Sequence, residues 1–244
     1  MMSGEIRLSP RLLARVGGIL YLMIILGAVF FPFAIAPSGM MQGDAALPSP
    51  ARILAAKPLY VFAGAAQLVL AVCDIAVAVV LYALLRPVDR TLALLATAFR
   101  IAFAAVVTAN VVNHFAPLVM LDGMPDSGFT AGQVQALATA FLKLRTLGLD
   151  VALVLFGFHC LIAGYLISRS SFLPRVLGFL LTIGGVGYIA NILASFLPHE
   201  VATQFFPYIM WPAGVAELGL TAWLIVIGVN SAKWQAQAGK AAAS

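Results

Sequence analysis

The 244-residue sequence predicts an all-α integral membrane protein: a bundle of six transmembrane helices plus one outer interfacial helix, with both termini cytoplasmic. Three observations predict it. Hydrophobic residues make up 63% of the chain and charged residues only 9%, where an ordinary soluble domain carries roughly 25% charged residues. Six apolar runs each reach the ~20 residues that a helix needs to cross a bilayer. Nine basic residues then fall on a single face of the resulting bundle. With so few ionisable side chains to coat a soluble globule, lipid has to cover most of the surface.

The runs are Val16 to Ala36, Leu59 to Leu85, Leu92 to Met120, Leu147 to Ser168, Val176 to Leu197 and Tyr208 to Val229. Residues 1–15 read as a cytoplasmic arm, 16–230 as the transmembrane domain and 231–244 as a cytoplasmic tail. An even number of spans puts both termini on one side. Arg7, Arg11 and Arg15 precede the first span, Arg86 and Arg90 fill the turn after the second, Arg169 and Arg175 flank the turn after the fourth, and Lys233 and Lys240 follow the last. The opposite face holds Arg52 and Lys57 together with Asp44, Asp122, Asp126 and Glu200. Basic loops stay in the cytoplasm, which fixes the orientation.

A rival reading of the start takes its basic residues, apolar stretch and Ala34-Ile35-Ala36 as a signal peptide with a cleavage site. The run is long for such a segment, and Pro32 and Phe33 stand where cleavage wants small residues, so a retained span fits better. The segment Thr130 to Arg145 could join the fourth span in one helix of 39 residues, Thr130 to Ser168, about 58 Å long against a ~30 Å hydrocarbon core. Part of it must then lie outside or along the surface. Thr130 and Gln133 form a T-x-x-Q capping box, so the segment is expected to start as an amphipathic interfacial helix on the outer side. Gly148 is either a bend or a packing site. The stretch Pro37 to Pro58 is the one sizeable loop.

The formal charge of +5 would suggest nucleic acid in a soluble protein, but here the cations sit at span ends, where they set topology and meet anionic headgroups. Nucleic acid is not an expected partner; membrane lipids are. Cys73 and Cys160 lie inside apolar runs without a CxxC pattern, and read as small hydrophobes rather than as a disulfide or metal site. No cofactor and no metal is expected.

Function has to come from the charges inside the spans. Counted at 1.5 Å per residue, Asp74 and Glu217 lie about 18 Å from the basic ends of their helices, and Arg100 and His159 about 15 Å. Four ionisable groups from four helices therefore share one thin slab. Asp74 with Arg100 reads as a buried ion pair that fixes helix register. His159 has no second ligand one turn away and reads as an interhelical hydrogen-bonding residue rather than a metal ligand. One arginine cannot neutralise two carboxylates, so Glu217 is left with His159, a tyrosine, water or its own proton. A carboxylic acid kept neutral is a competent general acid or proton carrier. Tyr60, Gln67 and Asp74 recur every seven residues, and Asn110, Asn113 and His114 form an i, i+3, i+4 group. With Asn191 these suggest a polar seam that widens toward the outer leaflet. Lys143 and Arg145 are expected to snorkel, and Gly184, Gly185 and Gly187 to mark close helix contact.

The stretch Cys73-Asp74 with Leu84-Leu85-Arg86-Pro87-Val88-Asp89-Arg90 and Leu92 to Arg100 resembles the bacterial multi-pass membrane family called domain of unknown function 4386. Phe156-Gly157-Phe158-His159-Cys160-Leu161, Gly164-Tyr165-Leu166, Leu173 to Gly178 and Gly187-Tyr188 agree with it, so the resemblance covers about residues 11 to 230. It implies a six-helix protein of the bacterial cytoplasmic (inner) membrane and supplies no mechanism. Small multi-pass terpene cyclases also place two acidic residues around an intramembrane cavity, an architectural analogy without a shared motif.

Three functions are compatible with this pattern. In the first, Asp74 and Glu217 form an acid/base pair tuned by Arg100 and His159, in a pocket for a hydrophobic small molecule such as a lipid or isoprenoid. Gln67, Asn110, Asn113, His114, Asn191 and Tyr188 then hold that ligand. The second is a proton-coupled carrier or efflux component that uses the same residues as a relay. The third is a non-catalytic accessory or sensor protein whose ionic slab serves helix packing. A cavity touching both carboxylates would favour the first, and tight pairing of the charges without a cavity would favour the third.

Overall fold

Helices account for nearly all of the described residues, and several of their starts are written in the sequence as caps. The computed structural model describes residues 9–35, 50–123, 128–195 and 199–243. Arg7, Asp44 and Asp126, part of the charge asymmetry above, lie outside the described residues, as do Ala36, most of the 37–58 loop and the side chain of Glu200. The helices are α1 (Pro10–Ile35), α2 (Pro50–Ala55), α3 (Lys57–Leu85), α4 (Arg90–Gly123), α5 (Ala131–Arg169), α6 (Arg175–Ser195), α7 (His199–Val226) and α8 (Ser231–Ala243). Four of them begin with a side chain that satisfies an otherwise orphaned backbone N–H. Ser9 Oγ accepts from Leu12 N at 3.2 Å, Asp89 Oδ1 from Leu92 N at 2.8 Å, and Asn230 Oδ1 from Lys233 N at 3.1 Å. At α5 the expected capping box is present: Thr130 N donates to Gln133 Oε1 at 2.8 Å and Gln133 N to Thr130 Oγ1 at 3.3 Å.

Among the described residues five helices are long and apolar enough to cross a membrane, and six if Trp211–Val226 and Ser231–Ala241, bent by 103°, are taken as one span. Outward faces are as apolar as the interior: Val72 is 66% exposed, Val112 70% and Trp211 70%. Such faces belong in lipid rather than in water.

Three features depart from the expected outline. The segment from residue 130 is no separate element, because α5 runs unbroken for 39 residues. At Gly148 an added Cβ would lie 2.6 Å from Asn110 Oδ1, so the glycine leaves room for close packing of α4 against α5. The loop before the second span contains α2, whose Ile53 is fully buried. The expected tail folds as α8, after Gly228 (φ +73°) closes α7 by donating from its N–H to the Trp223 carbonyl at 2.8 Å. Glycine takes that left-handed conformation without steric cost, and this frees the chain to turn.

The chain divides into two compact units, with cuts falling inside α1, α3, α4 and α5. The first comprises residues 1–22, 74–102 and 153–244. Its helices approach closely at glycines. A Cβ on Gly185 of α6 would lie 2.7 Å from the Gly157 carbonyl of α5, and one on Gly184 2.7 Å from Ala213 Cα of α7. Gly17 of α1 leaves room for Val80 of α3, and Gly18 for Ile225 of α7. Trp234 of α8 donates to the Leu84 carbonyl at 2.9 Å, and the side chain of Gln237 accepts from Ser171 Oγ at 2.9 Å.

The second unit comprises residues 23–73 and 103–152. Ile53, Tyr60, Leu118 and Leu142 form its core. Tyr60 and His114 lock α3 to α4 reciprocally: the Tyr60 hydroxyl donates to the His114 carbonyl at 2.6 Å, His114 Nε2 donates to the Tyr60 carbonyl at 2.9 Å, and the rings stack at 4.0 Å. Lys57 and Asp122 pair across the same two helices.

Candidate functional site

Six helices each deliver at least one polar side chain to a single buried cluster in the first unit. Arg100 of α4, 0% exposed, donates from Nη2 to Asp74 Oδ1 of α3 at 2.6 Å. Its Nη1 lies 3.2 Å from His159 Nε2 of α5. His159 Nδ1 faces the Ala96 carbonyl of α4 at 2.9 Å, and since that oxygen can only accept, the ring carries its proton on Nδ1 and presents Nε2 as the acceptor for Arg100. His159 is thus a neutral bridge between α4 and α5.

Glu217 of α7 does not share that arginine. Its Oε2 accepts from the Tyr21 hydroxyl of α1 at 2.9 Å, and its Oε1 from the Tyr188 hydroxyl of α6. Among the described residues it makes no ion pair. The two halves meet through Tyr21, whose ring lies 4.5 Å from the Arg100 guanidinium carbon. The ring of Phe156 lies 5.2 Å from the same carbon and packs edge-on to Tyr188 at 5.2 Å. An arginine flanked by aromatic faces is stabilised by the ring quadrupoles without further hydration. Its Nε is buried with no hydrogen-bond partner, as is Thr221 Oγ1, one turn beyond Glu217.

The cluster holds one guanidinium and two carboxyls, with the imidazole neutral. It is electrically neutral when one carboxyl carries a proton and has a net charge of about −1 when none does, a state that low dielectric penalises. Asp74 is held by a charge-assisted bond to Arg100, whereas Glu217 has only neutral hydroxyl donors. Glu217 therefore differs from Asp74 in having hydroxyl partners and, among the described residues, no cation.

Of the residues expected at the site, Asp74, Arg100, His159, Glu217 and Tyr188 come together here, and Asn191 is buried in the same unit on α6. Gln67, Asn110, Asn113 and His114 belong to the second unit. Asn113 Nδ2 donates to Asn110 Oδ1 at 2.8 Å, Asn110 Nδ2 donates to the Arg145 carbonyl at 2.7 Å, and His114 is engaged by Tyr60. The His114 Nδ1 atom is buried without a hydrogen-bond partner. Tyr21 was not among the expected residues. The signal was present, since Tyr21 lies ten residues from Arg11, about 15 Å in and level with Arg100 and His159. Cys73 and Cys160 are both buried. Among the described residues no group of three His, Cys, Asp or Glu side chains is arranged to hold a metal ion.

Residues 16–228 match the sequence pattern of the family described as Domain of unknown function (DUF4386). The chain belongs to that family. An uncharacterized protein of Archaeoglobus fulgidus is 29% identical over 157 residues, which span 64% of this chain and 78% of the relative. No solved structure matches the chain. Membership of DUF4386 fits a membrane protein of unestablished activity, so the function has to be argued from the cluster itself.

Proposed function

We propose that this is a proton-responsive membrane protein, a proton-coupled carrier or sensor, in which Glu217 takes up and releases the proton. The observation that carries this reading is the contrast between the two buried carboxyls: Asp74 is bound to Arg100, while Glu217 is held by two tyrosine hydroxyls from α1 and α6. An ionised Glu217 accepts strong charge-assisted bonds from both. Once protonated, its bonds are between neutral groups and roughly half as strong. Protonation therefore loosens the ties of α7 to α1 and α6 together, and a change of charge becomes a change in helix packing. Tyr21 carries the effect to Arg100 through its ring, and Arg100 to Asp74 and His159. Basic residues clustered at one set of helix ends further support cytoplasmic termini and insertion in a bacterial inner membrane.

A second reading, binding of a hydrophobic small molecule such as a lipid or isoprenoid, draws on a groove of about 540 Å³ in the second unit, bordered by Leu68, Val111, Phe115 and Phe141. Its walls are apolar apart from Thr108. Neither Asp74 nor Glu217 borders that groove. Acid/base chemistry on that ligand by the two carboxyls is therefore the weaker form of the proposal.

The test is proton exchange in reconstituted protein. Purified chain in liposomes loaded with a pH-sensitive dye is stepped in pH while the fluorescence of Trp211 and Trp223, both on α7, is followed. The expected result is a pH-dependent change in tryptophan emission that Glu217→Gln abolishes and Asp122→Asn leaves in place. An identical response in Glu217→Gln would overturn the proposal.

A further inference from the structure

The junction of α7 and α8 forms a second polar feature, separate from the Glu217 cluster. Beyond Gly228 the chain turns, and α8 leaves at 103° to the apolar part of α7. A cavity of about 600 Å³ lies at this corner, bordered by residues of α1, the α5–α6 turn, α7 and α8. Two of its bordering side chains are cations, Arg11 and Lys233, and none is acidic. Both are exposed, and neither makes an ion pair among the described residues. Gly228 keeps the corner open for one of them, since a Cβ there would lie 3.1 Å from Arg11 Cγ.

The remaining lining is mixed in a specific way. Trp223 adds a hydrogen-bond donor, its Nε1 atom being buried without a partner. Opposite in character are Phe172, Leu173 and Ile227, the last 46% exposed at the end of α7. Unpaired cations beside an exposed apolar helix end match a molecule with an anionic head and an apolar tail. A soluble phosphate would use the cations and leave the apolar wall unused.

We propose that this cavity binds the phosphate of an anionic lipid headgroup, with Arg11 and Lys233 as its cationic ligands. The acyl chains then run along the exposed apolar side of α7. Such a lipid ties α8 to α1, and so holds the end of the chain against the bundle.

The experiment uses the full chain in neutral detergent, with native mass spectrometry counting bound lipid as micelles are doped with phosphatidylglycerol or with phosphatidylcholine. Phosphatidylglycerol is expected to bind in preference to phosphatidylcholine. The double variant Arg11→Gln/Lys233→Gln is expected to bind it roughly 30-fold more weakly, at about fivefold per cation. Lys240→Gln, also on α8 but outside the cavity, leaves the affinity unchanged. Both altered side chains are exposed, and gel filtration checks that the variants remain folded. Equal binding of the two lipids, or equal affinity of wild type and double variant, overturns the proposal. Displacement of phosphatidylglycerol by an equal concentration of inorganic phosphate assigns the cavity to a soluble phosphate compound and overturns the lipid assignment.

Discussion

The ring of Tyr21 lies 4.5 Å from the guanidinium carbon of Arg100, and this contact joins two hydrogen-bonded groups that otherwise have separate partners. On one side stand Asp74, Arg100 and His159; on the other, Glu217 and its two tyrosines. The predictions below separate what each group contributes.

Arg100 and Asp74 are expected to behave as a coupled pair. Arg100→Ala leaves the Asp74 carboxylate buried at 6% exposure without its cation, which costs roughly 3–5 kcal/mol. Removing both charges restores much of that loss. A double-mutant cycle by denaturant unfolding in detergent measures the coupling, and strictly additive losses would show that the two side chains do not interact.

Tyr21→Phe keeps the ring against Arg100 and removes only the hydroxyl bound to Glu217. Its cost is expected to depend on pH, from about 1.5–3 kcal/mol when Glu217 is ionised to about 1 kcal/mol when it is protonated. The penalty thus shrinks as pH falls. Unfolding curves of wild type and variant across pH give the difference directly, and a constant penalty means that Glu217 does not change protonation over the range.

His114 and Tyr60 test the second unit independently. Tyr60→Phe removes one of the two reciprocal bonds but retains the stacked ring, with an expected loss of about 0.5–1.5 kcal/mol. His114→Ala removes the other bond and the ring as well, and is expected to cost more. Neither substitution is expected to alter the pH-dependent tryptophan signal assigned to Glu217.

Orientation is open to a direct test. Reporter fusions after Arg90 and after Ser244 are expected to read cytoplasmic, and one after Gly123 to read periplasmic. Any reversal removes the six-span arrangement.

Helix length and polar depth were legible in the sequence because both are local. A run of ~20 apolar residues spans a bilayer whatever surrounds it, and a fixed rise per residue converts sequence position into depth. By that ruler Asp74, Arg100, His159 and Glu217 fall in one thin slab, and the T-x-x-Q pattern separately marks Thr130 and Gln133 at the start of α5. Rotation about the helix axis is a different matter. In water, the apolar stripe of a helix reveals its buried face, but here lipid and core are equally apolar, and exposed Val72 cannot be told in kind from buried Val77. Only the tertiary structure decides that Glu217 turns to Tyr21 and Tyr188 rather than to Arg100. The same limit applies to Asn110 and Asn113, whose bonds to the Arg145 carbonyl and to each other depend on that rotation. The end of the chain shows it again, since α8 is too poor in apolar residues to be read as a packed helix and is held by Trp234 on the Leu84 carbonyl, a contact 150 residues apart in sequence.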